Sequence, residues 1–219
     1  VQAGEGATKA AVRPTHTQVT QTALTIAGYT KVSRQAMNDS AELMQAIDVT
    51  LNREIAKALD AALMVGNVTP AFDGLLTLAT AHTSLNYSYL WDAASEGVAT
   101  MLEAGLMPDV VTMSPADWLG VQTARNPTTG DYFSWQYLNP LPEYMRGLRV
   151  VVSPNMTAGK LMLLDSKQID LRINDAFNVE VNYVNDDFIK NQATVLAEMS
   201  VIPVFRAVGA ARLITPKVA

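Results

Sequence analysis

The chain has 219 residues, 49% of them hydrophobic, with 16 basic and 21 acidic side chains for a formal net charge of −5. That length allows one large domain or two small ones with a sizeable core, and scattered basic residues in an acidic chain argue against a groove for nucleic acid. There is no cysteine, which excludes disulfides, thiolate nucleophiles and cysteine zinc sites and fits a reducing compartment.

No apolar run approaches the roughly 18 residues of a membrane span, and no signal peptide is visible. Val1 is not an initiator, so the chain is expected to begin after processing or truncation. Residues 1–16 are rich in Gly, Ala, Thr and Lys and read as an exposed tip. The run TQVTQTALTIAGYTKVS at residues 17–33 is rich in Thr and β-branched side chains, with Val19, Ala23, Leu24 and Ile26 as apolar points. It reads as a long strand, half of a hairpin.

The stretch from Asp39 to Gly66 carries the clearest period. Leu43, Ile47, Leu51, Ile55, Leu59 and Leu63 recur every fourth residue, widened by Met44, Ala58 and Ala62, while Asp48, Arg53, Lys57 and Asp60 fall off the stripe. Asp39 is expected as the N-cap, with Glu42 completing a capping box, and Gly66 as the stop. About 26 residues at ~1.5 Å each give a rod of roughly 39 Å. The average helix has only about 11–12 residues. Burying the six large aliphatic side chains at about 1.5–3 kcal/mol each is worth roughly 10 kcal/mol or more before entropy.

Pro70, Asp73 and Gly74 mark turns after this spine. A second helix is expected from Leu90 to Ala104, with Trp91, Ala94, Val98 and Leu102 on its buried face and Gly105 and Pro108 ending it. Val110, Val111 and Met113 read as a short buried strand. Ser114, Pro115 and Asp117 then supply an N-cap, a proline at N1 and an acid at N3 for a helix reaching Arg125. NPTTGD is a turn, and Tyr132, Phe133, Trp135 and Tyr137 form an aromatic cluster. Residues 149–152 and 161–164 read as strands. Ile169, Leu171 and Ile173, then Val179, Val181 and Tyr183, alternate with polar residues and read as a hairpin or meander. Residues 188–202 form a further strand that Pro203 restricts to an edge or bulge. A last strand falls within residues 204–214. With no repeat and no βαβ rhythm, the class is α+β.

Enzyme signatures are absent: no GxSxG, P-loop, GxGxxG or HExxH occurs. His16 and His82 fall in polar segments without ligand spacing and read as surface residues, so no metal or cofactor set emerges. Asp186 and Asp187 could pair as catalytic carboxylates but read more simply as a solvated turn. The sequons at Asn38, Asn67, Asn86 and Asn155 carry no meaning without secretion. The ten methionines and the aromatic cluster read as core filling or subunit contact. Taken bottom-up, the chain is a non-enzymatic subunit that contacts others.

Several segments together resemble the major capsid proteins of tailed bacteriophages, the Hong Kong 97-like fold. GEGATKAA at residues 4–11 resembles the tip of that family's extended loop. KVSRQAMNDSAELMQAID at residues 31–48 resembles its junction into the spine helix, and PAFDGLL at 70–76 the turn that follows. VVTMSPADW at 110–118 and GLRVVVSP at 147–154 resemble axial-domain segments, and residues 185–214 the closing strands.

The resemblance implies an α+β shell subunit with an extended loop at residues 1–32, a peripheral domain at 33–89, an axial domain at 90–164 and closing peripheral strands at 165–219. It implies hexamers and pentamers tiling an icosahedral head around double-stranded DNA, which is held by enclosure. Scaffolding or decoration proteins and a portal are implied partners; no membrane and no cofactor is. Assembly would take place in the bacterial host cytoplasm, and the product would be the virion capsid. The family carries an N-terminal arm and the first half of the extended loop ahead of Gly4, so the chain is expected to be the retained part of a longer protein.

Some members also form an isopeptide bond between a loop lysine and a neighbour's asparagine, helped by a glutamate. The matching positions here are Lys9, Asn191 and Glu198. The plain alternative is a solvated lysine, an asparagine at a strand start and a glutamate in an inter-subunit ion pair. Two other readings stay open: an encapsulin-type shell around enzymes, and an isolated α+β enzyme.

Overall fold

The computed structural model describes residues 22–39, 41–67, 72–126, 128–132 and 144–217. Strand β1 (Leu24–Ser33) runs directly into a short helix, α1 (Arg34–Asp39), and then into the spine, α2 (Ala41–Val65). Asp39 is therefore the last residue of α1, and the spine begins at Ala41, one residue later than a cap at Asp39 implies. A helical turn already occupies residues 34–39. Gly66 does stop the spine, with a φ of +96° that an L side chain rarely adopts.

Two short strands, β2 (Gly66–Asn67) and β3 (Phe72–Asp73), pair after the spine. A single helical turn, α3 (Leu75–Leu78), and β4 (Thr80–Thr83) follow, neither of them expected. Next come α4 (Leu90–Glu103), β5 (Val110–Met113) and α5 (Pro115–Gln122). Then follow β6 (Tyr144–Met145), β7 (Leu148–Val152), β8 (Leu161–Leu164), β9 (Ile169–Asn182), β10 (Gln192–Phe205) and β11 (Ala211–Thr215).

The long strands form an antiparallel sheet in the order β1-β10-β9. β10 is the central strand, buried at several consecutive positions, with Val195, Ala197 and Val201 fully buried. Pro203 sits beyond the end of the β1 ladder, which stops at Leu24 opposite Val201. There, among the described residues, β10 has only β9 beside it, the local edge that a residue without an N–H needs.

The spine lies on one face of this sheet. Ile55 packs among Leu24, Ile26, Ala197 and Val201, with Leu51, Leu59 and Leu63 only half buried beside it. Of the six aliphatic residues in the stripe, Ile55 alone is fully buried, so the expected 10 kcal/mol overstates the spine's burial. The helix is an outer layer on a three-stranded sheet, and a layer of that kind has one covered side.

β9 is one continuous strand where a hairpin or meander was expected. Glu198 pairs with Asn178, Ser200 with Asp175 and Val201 with Ile173, so β9 absorbs two extra residues as bulges. Asn174 and Asp175 are turn-type residues, but the partner strand continues past them and holds them in the ladder. Two extra residues also preserve parity, keeping Leu171 and Ile173 on the same face as Val179 and Val181.

A second, six-stranded sheet has the order β4-β11-β8-β5-β7-β6, with β4/β11 and β5/β7 parallel. α4 covers one face through Ala93, Ala94 and Met101, which pack with Leu161, Leu163 and Ile214. Leu102, expected on that face, is exposed, and Met101 takes its place. Small residues set the orientation: a Cβ on Gly97 would lie 2.6 Å from Ile214 Cδ1. The other face packs Met162 and Ala211 against Met64 near the end of the spine. Six of the ten methionines, Met64, Met101, Met113, Met145, Met156 and Met162, are buried, as core filling requires.

α5 starts as its cap predicts, with the Asp117 N–H donating to Ser114 Oγ at 3.1 Å, but stops at Gln122 and not at Arg125. Arg125 instead bridges to Tyr132 across the 126–131 turn and stacks on its ring at 4.1 Å. Phe133, Trp135 and Tyr137 lie outside the described residues, as do Val19 and Pro70.

Gly74 carries the tightest backbone contact. A Cβ there would lie 2.3 Å from Gly66 N and 2.4 Å from Val65 C, atoms that cannot swing aside. Gly28 has open space around it. Gly74→Ala is therefore expected to destabilise the chain by about 1–3 kcal/mol or more, as overpacking does. Gly28→Ala is expected to change stability by less than about 1 kcal/mol. Urea unfolding midpoints of the two variants check this.

Candidate functional site

No catalytic centre emerges from the described residues, and among them no group of three or more His, Asp or Glu side chains is placed to hold a metal. No described helix is long and apolar enough to cross a membrane. His82, expected in a polar loop, lies half-buried in β4 with Nε2 3.4 Å from Glu96 Oε1, and Ser84 Oγ donates to the same carboxylate at 2.6 Å. The three join β4 and the segment after it to α4. His16 lies outside the described residues.

The polar groups converge instead where β1 turns into α1, against residues 183–194. Asp187, expected in a solvated turn, is buried. Lys31 Nζ donates to its Oδ1 at 2.7 Å, while Thr194 Oγ1 and the Val184 N–H donate to its Oδ2 at 2.5 and 3.1 Å. The Lys31 bond, then the Thr194 bond, hold the carboxyl at a pKa of about 2, against burial, which acts the other way. The same bond raises Lys31 above the usual lysine value. Asp186 points to solvent and pairs with Lys190 at 3.4 Å, so the two neighbouring acids have separate roles.

Arg34 adds two further ties. Its N–H donates to the Asn191 carbonyl at 3.0 Å, and its guanidinium lies 5.4 Å from the Tyr183 ring centre. Asn185 and Asn191 both adopt left-handed backbone, at φ +55° and +54°, so each has a conformational reason to be asparagine. The loop between them is fixed in shape by these bonds. None of this was found in the sequence. Lys31 and Asp187 stand 156 positions apart, and no local pattern links them.

Of the three cross-link positions, Lys9 lies outside the described residues. Asn191 is exposed at the foot of β10, and Glu198 is exposed further along it, opposite Ala27 and Asn178. Seven residues of extended chain at ~3.3 Å each set them roughly 23 Å apart. One chain does not bring them together.

A second polar junction ties the spine to the six-stranded sheet. Asp60 Oδ2 accepts from Ser153 Oγ at 2.8 Å and from Asn155 Nδ2 at 2.7 Å. Asp60 falls off the apolar stripe, as expected, but is half-buried against the turn after β7.

The sequence model of the Phage capsid family matches residues 1–201. A comparison with curated protein sequences finds no match. Among solved structures, a chain from Gordonia phage Cozz superposes with a TM-score of 0.74 at 13% identity, covering 95% of this chain and 80% of that one. A chain from Mycobacterium phage Ogopogo gives 0.71 at 15% identity, covering 98% and 82%. A chain from the structure "Capsid of native GTA particle computed with C5 symmetry" gives 0.73 at 16% identity, covering 99% and 81%.

The Asp187 junction has a pH signature. Its folded pKa, about 2, lies below the ordinary 3.8, so its contribution is present above pH ~4 and is lost as the pH falls from there toward 2. Lys31 is raised, so its share holds below about pH 10.5 and is lost above it. Asp187→Asn is expected to lower the thermal midpoint at pH 7. It should also flatten the decline in midpoint between pH 4 and 2 relative to the unsubstituted chain. Thermal scans across that range check both effects.

Proposed function

From the premise that this chain belongs to the phage capsid family, we propose how it builds its shell. It is a major capsid shell subunit, a structural component of the virion and not an enzyme. We propose that it assembles into hexamers and pentamers that close an icosahedral head around double-stranded DNA. The observation that carries this is the one-sided spine: a 25-residue helix lying on a long three-stranded sheet makes a thin, wide plate. Plates suit a wall in which modest lateral contacts are multiplied by symmetry. The net charge of −5 suits a wall that confines DNA without gripping it.

Within that reading, residues 33–89 and 165–219 form the peripheral domain, with α2 on the three-stranded sheet as its body. Residues 90–164 form the axial domain, with α4, α5 and the adjoining strands β8, β5, β7 and β6 of the six-stranded sheet. β4 and β11 cross onto that sheet from the peripheral segments, and Asp60 adds a polar tie at the same seam. Residues 1–32 supply the extended loop that reaches a neighbour, and its returning end, β1, joins the peripheral sheet beside β10. Scaffolding or decoration proteins and a portal are the further partners.

The test is negative-stain electron microscopy of the full protein. Closed shells of uniform size are expected, holding nucleic acid when taken from infected or induced cells. Shells of the same size holding co-purified proteins and no genome would instead favour the encapsulin reading. A chain that stays monomeric under all assembly conditions would count against shell formation by this subunit alone.

A covalent form of the same shell would join Lys9 to Asn191. The neutral lysine amine attacks the amide carbonyl, Glu198 moves the proton, and ammonia leaves. The separation along β10 requires Asn191 and Glu198 to come from different subunits. Such a shell, boiled and reduced, gives a ladder on a denaturing gel. A non-covalent one gives a single band near 23.7 kDa.

A further inference from the structure

The turn between β7 and β8 touches two helices that lie on opposite faces of the six-stranded sheet. α5 is on the α4 face, where Trp118 and Val121 pack with Ala93, Leu161 and Leu163. The spine reaches the other face, where Met64 packs with Met162 and Ala211. Residues 153–159, SPNMTAG, join the two, and a carboxylate holds each end. At the start, Asp60 of the spine accepts from Ser153 Oγ at 2.8 Å and from Asn155 Nδ2 at 2.7 Å. At the finish, Asp117 of α5 accepts from the Gly159 N–H, which is shared between Oδ2 at 2.9 Å and Oδ1 at 3.1 Å.

The segment between these ends has little freedom. Ser153 is buried, and the hydroxyl that donates to Asp60 also accepts from the Asn155 N–H at 3.2 Å. The Met156 N–H donates to the Ser153 carbonyl at 3.3 Å. Pro154 fixes its own φ. Met156 is buried in the same cluster as Met64, so the middle of the turn seats against the end of the spine. The α5 end is equally tied. Ser114 Oγ donates to Asp117 Oδ2 at 2.7 Å, and the Ser153 N–H donates to the Met113 carbonyl, one residue before that cap, at 3.1 Å.

We propose that residues 153–159 are a strap that couples the spine to α5 around the sheet. A shift of the spine at Asp60 draws on Ser153 and Asn155 and reaches the first turn of α5 through Gly159 and Asp117. Packing alone leaves the two helices free to adjust separately, because each sits in its own apolar cluster. On the spine side that cluster is built from Met64, Met156 and Met162, unbranched side chains that repack readily and so permit the shift. A contiguous set of satisfied hydrogen bonds is what carries it onward. The strap is a device within one chain and goes beyond the shell reading without depending on it.

The test is amide hydrogen exchange on the full, unassembled protein, with one aspartate removed at a time. Asp60→Ala is expected to speed exchange at the Gly159 amide about fivefold or more, although that amide is bonded to Asp117 and not to Asp60. Coupling is reciprocal, so Asp117→Ala is expected to speed exchange at the Asn155 and Met156 amides. Lys57→Ala, at an exposed position one turn earlier on the spine, should leave all three amides unchanged. If Asp60→Ala does not fold, Asn155→Ala removes one of the two bonds from the strap's side and is read at Gly159 in the same way. Ends that each respond only to their own aspartate overturn the proposal. A rise of equal size at the Ala94 and Met101 amides of α4 reports general loosening and overturns it too.

Discussion

Packing of Ile55 against Leu24, Ile26, Ala197 and Val201 is the contact on which the rest of the arrangement depends. It seats the spine on β1 and β10, and it does so from one side. A helix of this length in a globular enzyme would be wrapped by further layers. Here the sheet beneath is three strands wide and the helix face is mostly half-buried. Each chain therefore buries a modest core for its size and keeps wide apolar margins. That geometry follows from the sequence stripe, which is one residue wide with small flanking residues such as Ala58 and Ala62 and cannot support burial all round.

Polar junctions do what the thin core cannot. Asp60 reaches the turn after β7, and Asp187 fixes the β1–α1 corner to the loop before β10. In each, one carboxylate accepts two or more hydrogen bonds from groups distant in sequence. A buried carboxylate is unfavourable unless its oxygens are satisfied, and here the partners are supplied by backbone, hydroxyl, amide and ammonium groups together. Such junctions set orientation more strictly than apolar contact does. Orientation is what a plate needs if its edges are to meet those of its neighbours.

Much of this was readable in the sequence where the signal is local and periodic. The spine, the end of β1, α4, β5 and the Ser114 cap follow from spacing and cap chemistry, and their bounds fall within a few residues. The misses share a cause. Asn174 and Asp175 look like a turn, but β10 continues opposite and turns them into bulges. Asp39 looks like a cap, but the preceding residues are already helical. Asp187 looks solvated, but Lys31 and Thr194 arrive from other strands. For Asn174, Asp175 and Asp187, tertiary pairing overrides a local preference worth about 1 kcal/mol. The candidate cross-link was the least readable part. Asn191 owes its identity at least in part to a left-handed backbone, and no pattern in a single sequence separates that role from chemistry.

The alternation along β9 is the last step. In a protein that ends its work as a monomer, an outer strand is expected to carry charge or proline on its uncovered side. β9 instead carries Leu171, Ile173 and Val181 on the spine's side of the sheet, where Phe177 and Val179 between them pack against the spine's cluster and these three stay exposed, and it places its Asp, Arg, Glu and Asn residues on the other. The loop beyond, fixed by a buried carboxylate, holds out Phe188 and Ile189. Strand and loop have unrelated local structure, one extended and one a bonded turn, yet they meet at the Tyr183–Phe188 ring contact.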